Sequence, residues 1–249
     1  GESGSNIVIE EFLTGPEVSV LSFTDGKTVV PMVSSMDHKR AKDNDEGLNT
    51  GGMGTVAPNP YYTDAVAKEC MEKIFIPTMN AMNSEGRTFK GCLYFGLMIT
   101  PNGTKVIEYN CRFGDPETQV VLPLLDTDLY TIMEAVADER LSEVDVKFRD
   151  ENACCVIMAS EGYPVKYEKG YEISFGDIDE DCVVFHAGTK KVDGKYYTNG
   201  GRVLGVTAMD ATLARAIKKA YARVDEVHFD NAFYRRDIGQ RALAAKEEK

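Results

Sequence analysis

The stretch Lys105-Val-Ile-Glu-Tyr-Asn-Cys-Arg-Phe-Gly-Asp-Pro-Glu-Thr-Gln119 decides the fold of this chain. Its first part, Lys105 to Arg112, is predicted to be a β-strand. Side chains on a strand point to opposite faces in turn, so Glu108, Asn110 and Arg112 project from one side. The side chains of the other face are free to pack against the protein, and they are Ile107, Tyr109 and Cys111.

The polar face of this strand suits a hard metal ion. The Glu108 carboxylate and the Asn110 amide oxygen lie close together, and Mg²⁺ takes oxygen ligands while keeping phosphate oxygens and waters in its other positions. Arg112 can meet those phosphates. The alternative is that the three residues form the solvated face of an edge strand.

The residues after the strand favour a site over a solvated edge. Gly114 can adopt a positive φ angle and Pro116 fixes its own φ, so the pair predicts a rigid turn at the strand end. This turn carries Asp115 and Glu117. The polar groups of the strand and of the turn are therefore expected to converge on one site at the strand end.

The run Glu108-Tyr-Asn-Cys-Arg-Phe-Gly-Asp-Pro-Glu117 resembles the metal-binding strand of the ATP-grasp enzymes, and in particular that of the phosphoribosylamine-glycine ligase family, also called glycinamide ribonucleotide synthetases. The resemblance implies that Glu108 and Asn110 bind Mg²⁺ or Mn²⁺ and that Arg112 and Asp115 are catalytic. Other ATP-grasp families carry a second acidic ligand on the neighbouring strand. Tyr94-Phe-Gly-Leu97 offers none, so no third ligand is predicted.

Composition excludes several classes of protein. The chain has 249 residues, 43% of them hydrophobic, and a formal net charge of -12, which argues against nonspecific nucleic-acid binding and favours a small-molecule partner. No apolar run is long enough to span a bilayer and the N-terminus lacks a signal peptide, so no membrane partner is expected. The cysteines lack C-x-x-C spacing and lie in apolar segments, which predicts buried, reduced thiols of a cytoplasmic protein.

Two strands are predicted near the start, Asn6 to Phe12 and Val18 to Phe23, with a third from Lys27 to Met32. The run Ile9-Glu-Glu-Phe-Leu13, together with Glu17, resembles the family's adenine hinge. Read alone, its glutamates would form a solvated strand end. The resemblance implies nucleotide contacts from Glu10, Glu11, Leu13 and Glu17, the last of which would accept hydrogen bonds from the ribose hydroxyls.

A long polar segment follows and ends in Asn49-Thr-Gly-Gly-Met-Gly54. Its glycines allow consecutive backbone N–H groups to point into one concavity, as anion-binding nests do; the alternative is a flexible turn. The G-x-x-x-x-G-K-[ST] pattern of a Walker loop is absent. Both this run and Asp37-His-Lys-Arg40 match the family. The resemblance implies that ATP is bound by Asn49, Thr50, Gly51 and Gly52.

The remaining pattern predicts helices in the first half and short strands in the second. Thr63 to Asn83 is predicted to be a helix bent at Pro77. A later helix, Ala211 to Val224, is predicted to be capped by Asp210. The predicted fold class is α+β. The resemblance implies that residues 1–140 form the C-terminal part of an ATP-grasp domain, with an antiparallel sheet and helices, and that residues 141–249 form a small β-rich domain with one or two helices.

The resemblance runs from about Ile7 to Ala242 and includes Thr198-Asn-Gly-Gly-Arg-Val203. It implies ATP-dependent ligation of glycine to 5-phosphoribosylamine through a glycyl phosphate, giving glycinamide ribonucleotide in purine biosynthesis. The family's N-terminal and lid domains would precede Gly1, so the chain is expected to be a fragment that is inactive alone. His186 and Lys190 are weaker candidates, expected to be structural.

Three alternatives stay open. The chain could be a noncatalytic nucleotide-binding module, or part of another ATP-grasp carboxylate-amine ligase. It could also be a hydrolase that uses the paired carboxylates of Asp115 and Glu117, which would require a raised carboxylate pKa and activity without nucleotide. The sequence does not give the oligomeric state.

Overall fold

The computed structural model of the chain describes residues 4–177 and 181–247. The architecture is α+β, with antiparallel sheets covered by helices. The strands are β1 (Glu17–Thr24), β2 (Val29–Pro31), β3 (Met36–Asp37), β4 (Arg40–Lys42), β5 (Glu46–Asn49), β6 (Gly54–Ala57), β7 (Gly91–Thr100), β8 (Gly103–Asn110), β9 (Asn152–Ser160), β10 (Glu172–Ile173), β11 (Cys182–His186), β12 (Thr189–Val192), β13 (Lys195–Thr198), β14 (Arg202–Asp210) and β15 (Ala232–Phe233). The α-helices are α1 (Asp64–Cys70), α2 (Ile76–Ser84), α3 (Thr118–Val121), α4 (Leu129–Ala137), α5 (Leu213–Val224) and α6 (Gln240–Glu247).

The first sheet contains the stretch that decides the fold. Its strand order is β2-β1-β7-β8, with every neighbouring pair antiparallel. Val18 and Val20 of β1 pack towards helices α1 and α2, whereas Leu21 and Phe23 pack towards α3 and α4. Both faces of β1 are therefore buried, and its polar residues Ser19, Ser22 and Thr24 are buried as well.

The helix predicted from Thr63 forms with an irregularity. The Thr63 hydroxyl accepts a hydrogen bond from the backbone N–H of Val66 and so caps α1. A π-helical segment, Met71–Phe75, connects α1 to α2. Pro77 lies in the first turn of α2, where its missing N–H is accommodated by that segment. The bend expected at Pro77 therefore takes the form of a π segment.

Strand β8 contains a β-bulge. Gly96 of β7 pairs with Glu108, but the next residue, Leu97, pairs with Val106. Ile107 is therefore an extra residue on β8, and the bulge moves it out of the regular alternation. Val106 packs against the core under α1 and α2, while Glu108 faces the opposite side of the sheet.

The bulge corrects part of the predicted pattern. Ile107 does not share a face with Tyr109; it lines a cavity together with Glu108. Tyr109 packs edge-on against Phe95 but is 47% exposed. Cys111 is exposed, so the prediction of a buried thiol is wrong there, because the strand ends one residue earlier. Cys182 is half-buried, and the other four cysteines are buried as predicted.

The second large sheet has the order β11-β14-β9-β6-β3, and β15 adds to β9. Strand β9 lies inside it with both faces covered: Cys154 and Val156 face α5, and Cys155 and Ile157 face α3 and α4. The sheet joins strands from both sides of residue 140. The division of the chain at that residue stays a prediction.

One predicted strand and one predicted helix cap are wrong. Asn6 to Phe12 forms no strand; all of its side chains are exposed, so the segment buries no face against the protein. Helix α5 is capped by Thr212 rather than by Asp210. Asp210 is still part of β14, so the helix begins two residues later than the sequence pattern indicated. Within the described residues, no helix is both long and apolar enough to cross a membrane.

Candidate functional site

A cleft opens beside the end of β8. One cavity of about 260 Å³ collects most of the residues predicted from the metal strand and the Gly-rich loop. Those that line it are Thr50, Gly51, Glu108, Asn110, Arg112 and Asp115. A second cavity of about 570 Å³ adjoins it and is lined by Glu17, Lys39 and Asn49, among others. Asp37 and Lys39 line both cavities.

The three polar side chains of the metal strand lie in a row at this cleft. Asn110 Nδ2 is 3.3 Å from Glu108 Oε1, and Arg112 Nη2 is 3.5 Å from Asn110 Oδ1. Glu108 and Arg112 are exposed. Gly96 on the neighbouring strand leaves room for Glu108, since a Cβ there would lie 2.9 Å from Glu108 Cγ. The row therefore presents a carboxylate, an amide and a guanidinium to a ligand.

The donor set of this row fits one kind of metal site. Among the described residues, no group of three or more His, Cys, Asp or Glu side chains could enclose a metal ion. Mg²⁺ needs no such cage, because it is commonly held by one or two carboxylates together with substrate phosphates. Glu108 and Asn110 supply two adjacent oxygen-bearing groups, once the Asn110 amide is turned so that its oxygen faces Glu108. They suit a magnesium ion that shares its coordination with a nucleotide.

Glu117 lies behind the row in a buried hydrogen-bond network. Its Oε1 accepts hydrogen bonds from the hydroxyls of Tyr94 at 3.0 Å and Ser19 at 3.4 Å. Burial and the Glu117 charge raise the pKa of Tyr94, so this hydroxyl remains a donor. Burial and the same carboxylate raise the pKa of Asp37 well above its usual range. Glu117 lines the same cavity as Asp115, but it is 5% exposed and two hydroxyls already engage its carboxylate, so it is poorly placed for the paired-carboxylate hydrolysis considered above.

The Gly-rich loop does not form the predicted anion-binding nest. The backbone N–H of Thr50 donates to the Lys39 carbonyl and that of Gly51 donates to the Tyr163 hydroxyl. The N–H of Gly52 donates to the Thr50 hydroxyl at 2.9 Å. These donors already have partners within the protein, so they do not point together at a ligand. Gly52 is required for a packing reason: at φ +110, a Cβ would lie 2.4 Å from the Pro116 ring.

Sequence reasoning missed Lys39 as a site residue. Its Nζ is 3.1 Å from Glu17 Oε2. Burial lowers the pKa of Lys39, but the Glu17, Asp37 and Glu108 carboxylates outweigh burial and the net shift is upward, so Lys39 is a cation at neutral pH. It lies where the predicted ribose acceptor and the predicted metal strand meet. The signal was present in the Asp37-His-Lys-Arg40 run, which was noted only as a motif.

Arg202 and Tyr163 were also missed. Arg202 Nη2 is 3.1 Å from Asp115 Oδ2, and the Tyr163 hydroxyl accepts from Gly51. Both come from the second half of the chain, outside the predicted ATP-grasp part at residues 1–140. Asp115 is thus held by an arginine that follows it by 87 positions.

The predicted hinge residues are not brought together. Glu10 and Glu11 are exposed and Leu13 is half-buried, all in a segment without secondary structure. Of this set, only Glu17 lies at the cleft. His186 and Lys190 are exposed; the His186 ring contacts the Thr189 hydroxyl at 3.1 Å.

Comparison with known proteins gives the relationship. The phosphoribosylglycinamide synthetase ATP-grasp (A) domain matches residues 1–118, and the C domain of the same synthetase matches residues 153–241. The phosphoribosylamine–glycine ligase of Clostridium acetobutylicum is 50% identical over 238 residues, which cover 96% of this chain and 57% of that protein. The trifunctional purine biosynthetic protein adenosine-3 of Gallus gallus is 49% identical over 247 residues, covering 98% of this chain and 25% of that protein.

Solved structures agree. The crystal structure of phosphoribosylamine–glycine ligase from Thermotoga maritima has a TM-score of 0.83 and 36% identity, over 92% of this chain and 57% of that one. A biotin carboxylase from Campylobacter jejuni shares the fold alone, with a TM-score of 0.65 and 13% identity, over 90% of this chain and 48% of its own. The chain spans little more than half the length of the bacterial ligases it matches. Since the A and C domain models together account for residues 1–118 and 153–241, the chain belongs to the phosphoribosylglycinamide synthetase family.

Proposed function

We propose that this chain is part of an ATP-dependent ligase that joins glycine to 5-phosphoribosylamine and yields glycinamide ribonucleotide, ADP and phosphate. The observation that carries the proposal is the row of Glu108, Asn110 and Arg112 exposed at one cleft. The reaction of the named relatives is the second support. In this proposal the chain holds one part of the nucleotide site and does not turn over substrates alone.

Each residue at the cleft has a role that follows from its chemistry. Glu108 and Asn110 would hold Mg²⁺ or Mn²⁺, which neutralises the charge of the ATP phosphates. Arg112 is exposed beside them and can stabilise charge on the phosphoryl group that passes to the glycine carboxylate. Phosphoryl transfer depends mainly on such positioned cations, because the protein does little covalent chemistry.

The adjoining cavity suits the rest of the nucleotide. The Glu17 carboxylate can accept hydrogen bonds from the ribose hydroxyls. The Lys39 ammonium lies 3.1 Å from Glu17 Oε2 and can contact a phosphate of the same nucleotide. Asp115 and the loop of Asn49, Thr50, Gly51 and Gly52 would then form the wall where the nucleotide phosphates and the amine acceptor meet. A net charge of -12 and free cysteines support a cytoplasmic protein that acts on small molecules.

A chimaera tests this function. In the Clostridium acetobutylicum ligase, the matched 238 residues would be replaced by this chain, and release of ADP would be measured with ATP, glycine and phosphoribosylamine. We expect turnover that needs all three substrates and is lost in the Glu108→Ala variant. A folded chimaera that binds magnesium and ATP but forms no amide would instead support a noncatalytic nucleotide-binding module. Activity with a different carboxylate or amine would support another ligase of this superfamily.

A further inference from the structure

One guanidinium from the second half of the chain connects two walls of the cleft. Arg202 Nη1 donates to the Gly51 carbonyl at 2.6 Å and to the Asp115 carbonyl at 2.9 Å, with Gly52 O further away at 3.4 Å. Arg202 Nη2 pairs with the Asp115 carboxylate at 3.1 Å. The loop and the turn are far apart in sequence, so this side chain sets their relative position.

A β-bulge aims Arg202 at the cleft. Arg202 pairs with Ala159 and Leu204 pairs with Met158, so Val203 is an extra residue on β14. Leu204 packs towards helix α5, and regular alternation would direct Arg202 to the same side. The extra residue turns it to the opposite face, where Asp115 lies. Bulges commonly re-aim a side chain in this way next to sites.

The packing around the loop brings Arg202 directly against its backbone. A Cβ at Gly51 would lie 3.0 Å from the Arg202 guanidinium carbon, so the guanidinium lies against the backbone of this glycine. The Tyr163 hydroxyl accepts the Gly51 N–H from the same half of the chain at 3.0 Å. Gly51 is therefore held at its N–H by Tyr163 and at its carbonyl by Arg202, and both residues belong to the second half of the chain.

We propose that Arg202 is a positioning residue of the cleft: it holds the 49–52 loop and the Asp115 turn in the geometry that binds the magnesium nucleotide. It acts through Gly51 and Asp115 and does not itself touch the nucleotide. The proposal rests on the proposed function for the identity of the ligand. The contacts that Arg202 makes within the protein do not depend on which ligand the cleft binds.

The planar fork of arginine is the reason that this role is specific. Arg202 donates to two backbone carbonyls and a carboxylate at once, which a lysine ammonium on a flexible stem cannot reproduce with the same geometry. Asp115 is engaged on both its carbonyl and its carboxylate. In this arrangement its part in the site is to fix the turn together with Arg202.

Amide hydrogen exchange of the 249-residue chain, followed by NMR, tests the positioning directly. In Arg202→Met, we expect the Gly51 and Gly52 amides to exchange about tenfold faster or more, while amides of β9 keep their protection. Arg202→Lys should fail to restore the loop. The exposed Arg87 provides the matched control, since Arg87→Met should leave both sets of amides unchanged. The same samples are then titrated with ATP and Mg²⁺ by calorimetry, and we expect Arg202→Met to bind about tenfold more weakly.

The outcomes separate the two proposals. Unchanged exchange at Gly51 and Gly52, or faster exchange throughout the chain, would overturn the positioning role. Faster loop exchange with undiminished nucleotide affinity would overturn it as well, because the loop would then not shape the nucleotide site. If the unaltered chain shows no magnesium-dependent ATP binding, it is the proposed nucleotide site that fails, while exchange still decides whether Arg202 positions the loop. If Arg202→Met does not fold, Tyr163→Phe and Asp115→Asn each remove one contact and should loosen the loop partially.

Discussion

Two of the clusters of arginine and acidic side chains in this molecule differ in one respect. At the cleft, Arg112 is exposed and donates to one carbonyl at 2.9 Å and one amide oxygen at 3.5 Å. Near the C-terminus, Arg235 is 2% exposed and binds both oxygens of Asp237, at 2.8 and 2.7 Å, as well as Asp45 at 3.0 Å. The same residue types are fully satisfied in one place and available to a ligand in the other.

This difference separates structure from function better than the sequence motifs do. The Arg235 cluster attaches the β4–β5 hairpin to the C-terminal segment: Arg236 N–H donates to Asp43 and Asn44 N–H donates to Asp237. That hairpin forms part of the wall of the larger cavity through Arg40. The buried cluster thus fixes the hairpin that forms one wall of the larger cavity. The exposed row of Glu108, Asn110 and Arg112 is accessible to ligands.

The largest effect is expected at the buried cluster. Arg235→Met would leave Asp45 and Asp237 without their common partner. Asp45 keeps Arg241 and both carboxylates are partly exposed, so we expect the low end of the cost of breaking a buried ion pair, about 3 kcal/mol. We expect the free energy of unfolding, measured with urea, to fall by that amount. The neighbouring Arg236 is exposed and stacks on Tyr234, so Arg236→Met serves as control and should change it by less than about 1 kcal/mol. Equal losses in the two variants would remove the distinction between the clusters.

The sequence predicts the regular elements well because their signals are local. Alternation predicts the strand from Val18 to Phe23 that becomes β1, and Thr63 predicts the start of α1, where its hydroxyl accepts from the Val66 N–H. The row of Glu108, Asn110 and Arg112 also follows from alternation alone. These features depend on residues within one strand or one helical turn.

The features that sequence reasoning missed depend on distant partners. The bulges at Ile107 and Val203 are properties of strand pairing, and a shift of register is invisible within either strand. The Gly51 amide of the Gly-rich loop donates to Tyr163, which is 112 positions away. Arg235 and Asp45 are separated by 190 positions. No local pattern connects such residues.

A smaller effect is expected from pH, at the histidine beside the buried cluster. The Gly239 N–H donates to His38 Nε2 at 3.2 Å, so Nδ1 carries the proton and donates to the Gly54 carbonyl at 3.1 Å. Burial, together with the charges of Arg241 and Arg235, lowers the pKa of His38 from 6.5 to about 4. Protonation would remove the acceptor of Gly239.

The sign of this pH effect follows from the lowered pKa. The folded state binds the proton less tightly than the unfolded state, so the contribution of His38 is complete above its ordinary pKa and is lost as pH falls towards 4. Between about pH 7 and pH 5 we expect its share of the unfolding free energy to fall by about 2 kcal/mol. His38→Gln should flatten this pH dependence, whereas His228→Gln, at an exposed histidine, should not. The same pH slope in His38→Gln and in the unaltered chain would show that His38 is not responsible.

The smallest effect in free energy is expected at the exposed row, and it should concern ligand binding instead of folding. Glu108→Gln removes the charge of a proposed metal ligand while keeping its size. We expect magnesium-dependent ATP binding, measured by calorimetry, to weaken about tenfold or more, which corresponds to about 1.4 kcal/mol. Because Glu108 is exposed, the unfolding free energy should change by no more than about 0.5 kcal/mol. Glu134, an exposed carboxylate on α4, provides the control, since Glu134→Gln should alter neither quantity.

A loss of stability at Glu108 comparable to that of Arg235→Met would contradict the comparison, because the exposed row would then be part of the framework. Undiminished affinity in Glu108→Gln would instead remove Glu108 from the proposed metal site, while leaving its neighbours Asn110 and Arg112 to be tested in the same way.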